Sequence, residues 1–310
     1  MAKFIVAIET VKIKEFLFST NKLRVIRGAS YLLDYLNQVE VSKILDKNEI
    51  TEENIIYVGA GNAKFFTDTK EKAEKIIEEV KKTYEKEAPG VKVAAVYREK
   101  TNDKKVWDSL EELSRDTAIE KSKGFSTLNI DLPHVEKCEL NGSEVAEIDY
   151  YNLEDDLHNL GYSLDEKYIL LSDYNKTDND TIDKLEIEVL KEHIKEITKT
   201  TGRISEGTLK KIIASELLKE SNRAVYKKNG DKDKIIGFYR YLIEKYNLKI
   251  RSTIDNFENE DSFIGFVYSD GDGLGDFFKN IKKVFIAADE RKVPNIEEEY
   301  LKFLKSFSTI

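Results

Sequence analysis

Over its first hundred residues the chain changes hydrophobic period in an order that sharply restricts its fold. The run Phe-Ile-Val-Ala-Ile within Lys3 to Glu9 reads as a buried strand, and Arg27 to Gln38 sets Leu32, Leu33, Tyr35 and Leu36 on one helical face. Asn54 to Val58 and Ala63 to Thr67 form a hairpin around Gly59-Ala60-Gly61-Asn62. A long helix is expected from Asp68 to Glu87, where Ala73, Ile76, Ile77, Val80 and Tyr84 keep a spacing of three and four. Val91 to Tyr97 then returns as a strand after Pro89-Gly90. That order, β-α-β-β-α-β, is the ferredoxin-like arrangement of the α+β class on which palm domains are built.

A second constraint is chemical. Phe263 to Tyr268 is an apolar strand that ends in Ser269-Asp270-Gly271-Asp272-Gly273-Leu274-Gly275 and turns into a helix. Carboxylates spaced Asp-x-Asp at a strand end can share a hard divalent cation, Mg²⁺ or Mn²⁺. Gly271, Gly273 and Gly275 are expected to let backbone amides approach the oxygens of a triphosphate, with Ser269, Gly271 and Gly273 as the nucleotide-binding residues. The chemistry implied is metal-assisted nucleotidyl transfer, with Asp270 and Asp272 as catalytic residues and metal ligands. A calcium-binding EF-hand does not fit, because Leu274 stands where an oxygen ligand is needed and Lys-Asn-Ile-Lys-Lys follows where a bidentate acid should be. An Asp- and Gly-rich turn with no metal is the plain alternative.

Three segments carry a resemblance. Phe16 to Asn37, which reads FLFSTNKLRVIRGASYLLDYLN, resembles the opening of the first palm in the large polymerase-like subunit of type III CRISPR effector complexes. Tyr268 to Gly275 resembles the opening of that family's second palm, and Ile55-Ile56-Tyr57-Val58-Gly59-Ala60-Gly61-Asn62 resembles its first hairpin. The motifs stand in the family's order. The resemblance implies a protein that binds two ATP molecules between its palms and, when crRNA pairs with target RNA, joins them into cyclic oligoadenylate messengers in antiviral defence. The implied partners are ATP, other subunits of a crRNA effector complex, and crRNA and target RNA through that complex.

In catalytic palms the central hairpin carries two acidic residues, commonly Gly-Gly-Asp-Asp or Gly-Gly-Asp-Glu. Here Gly59-Ala60-Gly61-Asn62 keeps the turn and has no carboxylate, so the first palm is expected to be catalytically empty, as the resemblance also implies. A dinucleotide-binding reading of Gly59-x-Gly61 fails, since the third glycine is missing and a strand follows where a helix should begin. The resemblance places Thr20 to Ser30 beside the nucleotide. Gly28 near a helix start would let amides face phosphate, with Lys22, Arg24, Arg27 and Ser30 as donors. The plain alternative for the arginines is a solvated face.

Composition narrows the class. The 310 residues are 40% hydrophobic, enough for more than one core, and no apolar run approaches the length that spans a bilayer. One cysteine, Cys138, excludes an internal disulfide and suits a reducing cytoplasm. A net charge of −9 argues against coating nucleic acid through a broad positive field, so RNA contacts are expected to be local or supplied by partners.

Three domains are expected: a degenerate palm over residues 1–100, a mostly helical middle over 101–258, and the beginning of the catalytic palm over 259–310. In the middle, helices are expected through Leu185 to Ile194, capped by Asp180 or Thr181, over Ile204 to Ser221, and over Lys234 to Lys245. Relatives of the suspected family often carry a Cys-x-x-Cys knuckle in this region. Here Cys138-x-x-Asn141 has only His134 nearby, with His158 and His193 distant, so a decayed knuckle without zinc is expected and Cys138 reads as a small buried hydrophobe.

No His-Asp doublet occurs, so the nuclease domain that many members carry at the N-terminus is not expected, and the sequence stops at Ile310 before a second acidic hairpin. The chain is therefore expected to be an N-terminal portion, inactive alone, of a cyclic oligoadenylate synthase. Two other classes stay open at this point. One is a non-catalytic scaffold subunit of a crRNA complex, and the other is a stand-alone cyclase of the diguanylate type.

Overall fold

The structure, a computed structural model, describes residues 4–59, 61–101, 103–123, 135–165, 167–171, 183–198, 201–217 and 274–306. It is a mixed helix and strand protein built on an antiparallel sheet. Strand β1 (Phe4–Val11) is followed by a short helix α1 (Ile13–Leu17) and by α2 (Leu23–Tyr35). A π-turn at Leu36–Glu40 carries α2 into α3 (Val41–Lys47). The hairpin strands β2 (Ile55–Gly59) and β3 (Asn62–Thr67), helix α4 (Lys70–Glu87) and strand β4 (Lys92–Glu99) complete the first hundred residues.

The sheet order is β2-β3-β1-β4 and every neighbouring pair is antiparallel. β1 is therefore central, and both its faces are covered, which explains its uninterrupted apolar run. Val6 and Ile8 join one core cluster with Ala63, Phe65, Val93 and Ala95 under α2 and α4. Ile5 and Ala7 face the other way, with Ile56 and Phe66.

Helix α2 starts at Leu23, four residues before the expected Arg27. Its buried face, Val25, Ala29, Leu32 and Leu33, includes a residue before that start. α4 begins after Thr69, whose hydroxyl accepts from the Lys72 N–H at 3.2 Å. It buries Ala73, Ile76, Val80 and Tyr84, the expected face without Ile77.

The second face of the sheet is covered by α5 (Val106–Ser122) through Val106, Trp107, Leu110 and Leu113. Packing thus runs across the expected boundary at residue 100. The middle region also holds more strand than expected. β5 (Ile148–Asp149), α6 (Leu153–Asn159), β6 (Ser163–Asp165), β7 (Tyr168–Leu171), β8 (Asp183–Glu186), α7 (Ile187–Ile197), β9 (Arg203–Ile204) and α8 (Glu206–Leu217) follow one another. Leu185, expected in a helix, pairs with Ile169 in a three-stranded sheet, and the helix starts at Ile187. The caps expected at Asp180 or Thr181 and the helix at Lys234 to Lys245 lie outside the described residues.

α8, expected over Ile204 to Ser221, runs over Glu206–Leu217 and is buried from Gly207 to Ser215. Its two lysines are buried: Lys210, 7% exposed, donates to the Lys86 carbonyl and pairs with Glu206 at 3.0 Å, and Lys211 is 1% exposed. The last helices, α9 (Leu274–Glu290) and α10 (Ile296–Ser306), lie on the same sheet face as α5. Tyr300 meets Trp107 edge-on at 6.0 Å, and Lys105 pairs with Asp289 at 2.9 Å.

Candidate functional site

The hairpin between β2 and β3 has the geometry of a tight, fixed turn. Gly61 has φ +79°, and a Cβ there would stand 2.2 Å from Thr10 Oγ1. Thr10 donates to the Gly61 carbonyl through its N–H at 2.7 Å and its hydroxyl at 3.1 Å. Only glycine combines that φ with so close an approach of β1. Glu9, the one carboxylate on β1, is opposite Asn62 in the ladder, so it lies beside the hairpin. Its carboxylate is paired with the ammonium of Lys121, at the end of α5. Sequence reasoning missed Glu9, although its place near the end of a buried strand marks it.

The expected donors on α2 are separated by the helix. Lys22 is the N-cap residue and half-buried; its N–H donates to Thr20 Oγ1 at 3.3 Å. The first-turn N–H groups of Leu23, Arg24 and Val25 precede the first intrahelical bond, which runs from Ile26 N–H to the Lys22 carbonyl. Gly28 is not at the helix start. It lies within α2 where α8 crosses, and a Cβ at Gly28 would stand 1.7 Å from the Lys211 carbonyl oxygen. Its missing side chain serves helix packing. Arg27 is half-buried and Ser30 is exposed.

Arg24 turns away from the loop. Its guanidinium pairs with Glu216 of α8, contacts Glu196 of α7 at 3.2 Å, and lies 3.2 Å from His193 Nε2. Beneath the loop, Lys211 Nζ donates to the Phe16 carbonyl at 3.0 Å and to Ser19 Oγ at 2.9 Å, with the Phe16 ring 4.0 Å away. Burial lowers the pKa of this ammonium, against a smaller opposing effect of Glu144 and Cys138. The loop from Phe16 to Lys22 is thus held from below by α8.

Cys138 is fully buried, and its Sγ lies 3.5 Å from Thr208 Oγ1. Asn141 Oδ1 accepts from the N–H groups of Ser143 at 3.2 Å and Glu144 at 3.1 Å. Among the described residues no group of three or more His, Cys, Asp or Glu side chains could hold a metal ion. His193 is engaged with Glu216 at 3.3 Å, and His134 lies outside the described residues.

Ser269, Asp270, Gly271, Asp272 and Gly273 also lie outside the described residues. Leu274 is the first residue of α9. Among the described residues no helix is long and apolar enough to cross a membrane.

Residues 4–135 match a family model described as Csm1 subunit domain B. No curated protein sequence matches the chain. Among solved structures, a Csm1–Csm4 cassette in complex with AMPPNP is similar over 39% of this chain and 19% of that chain, at 16% identity and a TM-score of 0.35. A cassette in complex with cA4 gives the same figures. A Csm1–Csm4 subcomplex of the type III-A CRISPR-Csm interference complex is matched over 40% of this chain and 19% of that one, at 16% identity and a TM-score of 0.35. The chain covers about a fifth of the length of these structures.

Proposed function

We propose, from a chain whose residues 4–135 match the family model described as Csm1 subunit domain B, that it supplies the first palm and adjoining regions of a type III CRISPR polymerase-like subunit. The family match carries this reading. The sheet order β2-β3-β1-β4 with α2 and α4 on one face supports a ferredoxin-like palm. The hairpin supports its being the non-catalytic palm, because Gly59, Gly61 and Asn62 offer no carboxylate and Glu9 is neutralised by Lys121.

Catalysis is assigned to the second palm. Asp270 and Asp272 would hold Mg²⁺, which supplies charge to neutralise a triphosphate and acidify an attacking hydroxyl. Ser269, Gly271 and Gly273 would line the nucleotide there. On the first palm, Lys22 and the first-turn N–H groups of α2 form an anion-favouring helix end, with Arg27 and Ser30 farther along the same helix. Gly28 is left out of the nucleotide's contacts, since its Cα faces α8. Domains over residues 1–100, 101–258 and 259–310 remain the proposed division, with α5 and the last two helices packed on the first sheet.

The whole protein would thus join ATP into cyclic oligoadenylate within a crRNA complex. Incubating the assembled complex with ATP and GTP, Mg²⁺ and target RNA, and resolving the products by mass spectrometry, tests this. Cyclic oligoadenylate is expected; ATP left unchanged, or a cyclic dinucleotide of guanine from GTP, overturns it.

A further inference from the structure

Two turns of identical spacing meet at the N-terminus of α8, the second being the cap and first turn of that helix. One is Cys138-x-x-Asn141, closed by the Gly142 N–H to Cys138 carbonyl bond at 2.9 Å; the other is Ser205-x-x-Thr208, where the Thr208 N–H donates to Ser205 Oγ at 3.2 Å. Cys138 Sγ is 3.5 Å from Thr208 Oγ1, which is 3.0 Å from Ser205 Oγ. Neighbouring ligand atoms on a tetrahedral zinc ion, at about 2.0–2.3 Å from the metal, stand roughly 3.3–3.8 Å apart. Cys138 Sγ and Thr208 Oγ1 therefore stand at ligand spacing and Ser205 Oγ just inside it, while Asn141 Oδ1 is engaged by the N–H groups of Ser143 and Glu144. The chemistry does not fit a metal: one thiol and two hydroxyls lack the thiolates and imidazoles that a structural zinc needs.

Proton inventory says what occupies that space. Ser205 has one hydroxyl proton, and it goes to the Glu144 carboxylate, which only accepts. The 3.0 Å contact between Ser205 and Thr208 must then take its proton from Thr208, and the Cys138 thiol is left to donate to Thr208 Oγ1. The result is a directed chain, Cys138 to Thr208 to Ser205 to Glu144, in which every buried donor has one acceptor. Cys138, Ser205 and Thr208 are all at most 2% exposed, so each broken link leaves a group that water cannot reach.

We propose that these two turns form a metal-free counterpart of a four-ligand knuckle, in which a hydrogen-bonded relay from Cys138 to Glu144 does the joining that a metal would do. The residue pair Ser205 and Thr208 is its second half. The relay ends beside the N-terminus of α8, the helix that carries Lys211 against the Phe16 to Ser19 segment, so the clasp fixes the helix that supports that loop.

The test has two arms. In the first, Thr208→Val and Thr208→Ser are compared by thermal melts in the presence of EDTA. Thr208→Val should lower Tm by about 3–6 °C, while Thr208→Ser, which keeps the hydroxyl, should stay close to the parent. Equal melting of the two variants would overturn the relay. In the second arm, Asn141→Cys, Ser205→Cys and Thr208→Cys are combined to give four thiols with Cys138, and the chain is titrated with Co²⁺. A one-to-one complex with tetrahedral absorption and a raised Tm is expected, with no such spectrum from the parent chain. A folded triple variant that takes up no Co²⁺, or a parent chain that purifies with one zinc lost on Cys138→Ser, would overturn the proposal.

Discussion

Gly28 has no side chain because the backbone of α8 occupies the place where one would be. Alanine is the better helix former by about 1 kcal/mol, yet its Cβ would meet the Lys211 carbonyl at 1.7 Å, so crowding decides the sign. Gly28→Ala should therefore destabilise the chain by about 3 kcal/mol or more in urea melts, whereas Ser30→Ala, on the exposed side of the same helix, should change it little. Lys211, in the same contact, makes a second prediction. Its folded pKa lies below its unfolded value, so between those values the unfolded chain binds more protons and stability rises with pH. Buried tyrosines such as Tyr84, whose pKa burial raises, act oppositely at the alkaline end. The difference between parent and Lys211→Met isolates the lysine: it should shift in the parent's favour as pH climbs toward the ordinary lysine pKa. A flat difference would contradict the assignment. Neither role was legible in the sequence. Gly28 and Arg24 carry the composition of a phosphate loop, and what commits them elsewhere is a helix nearly two hundred residues downstream.

At the scale of elements, local chemistry was readable and long-range partners were not. β1, the hairpin, α4 and β4 stand where period and turn residues put them, because each is set by its own side-chain pattern and by glycines such as Gly61. α8 misled, since a helix with Lys210 and Lys211 reads as half-solvated although both ammonium groups find carbonyls inside. The glycine turn between β2 and β3 was legible; the carboxylate beside it, Glu9, was not, because its neighbour across the sheet is known only from the strand register. The second face of the sheet gives a prediction of its own. Trp107 of α5, 4% exposed, meets Tyr300 of α10, whose ring in turn meets Phe285 of α9 at 5.1 Å. Trp107→Ala should cost about 3–5 kcal/mol and open α9 and α10 to proteolysis ahead of the rest of the chain. Simultaneous loss of the whole sheet would contradict that order.

For the molecule as a whole, the proposed function pairs a first palm whose hairpin carries no carboxylate with the Asp270-x-Asp272 motif, which begins four residues before Leu274 in sequence, and gives the chemistry to the second palm. A net charge of −9 fits a subunit whose RNA contacts come through its partners. If Asp270 and Asp272 are only turn residues, replacing both by Ala costs modest stability, on the order of 1 kcal/mol, and leaves synthesis intact. If they hold Mg²⁺ against the triphosphate, the same change removes the charge that the reaction depends on. The direct measurement is oligoadenylate yield beside target-RNA affinity for the Asp270→Ala, Asp272→Ala double variant, assembled in the effector complex. The account predicts synthesis lower by several orders of magnitude with RNA affinity unchanged; synthesis near the parent level would contradict it.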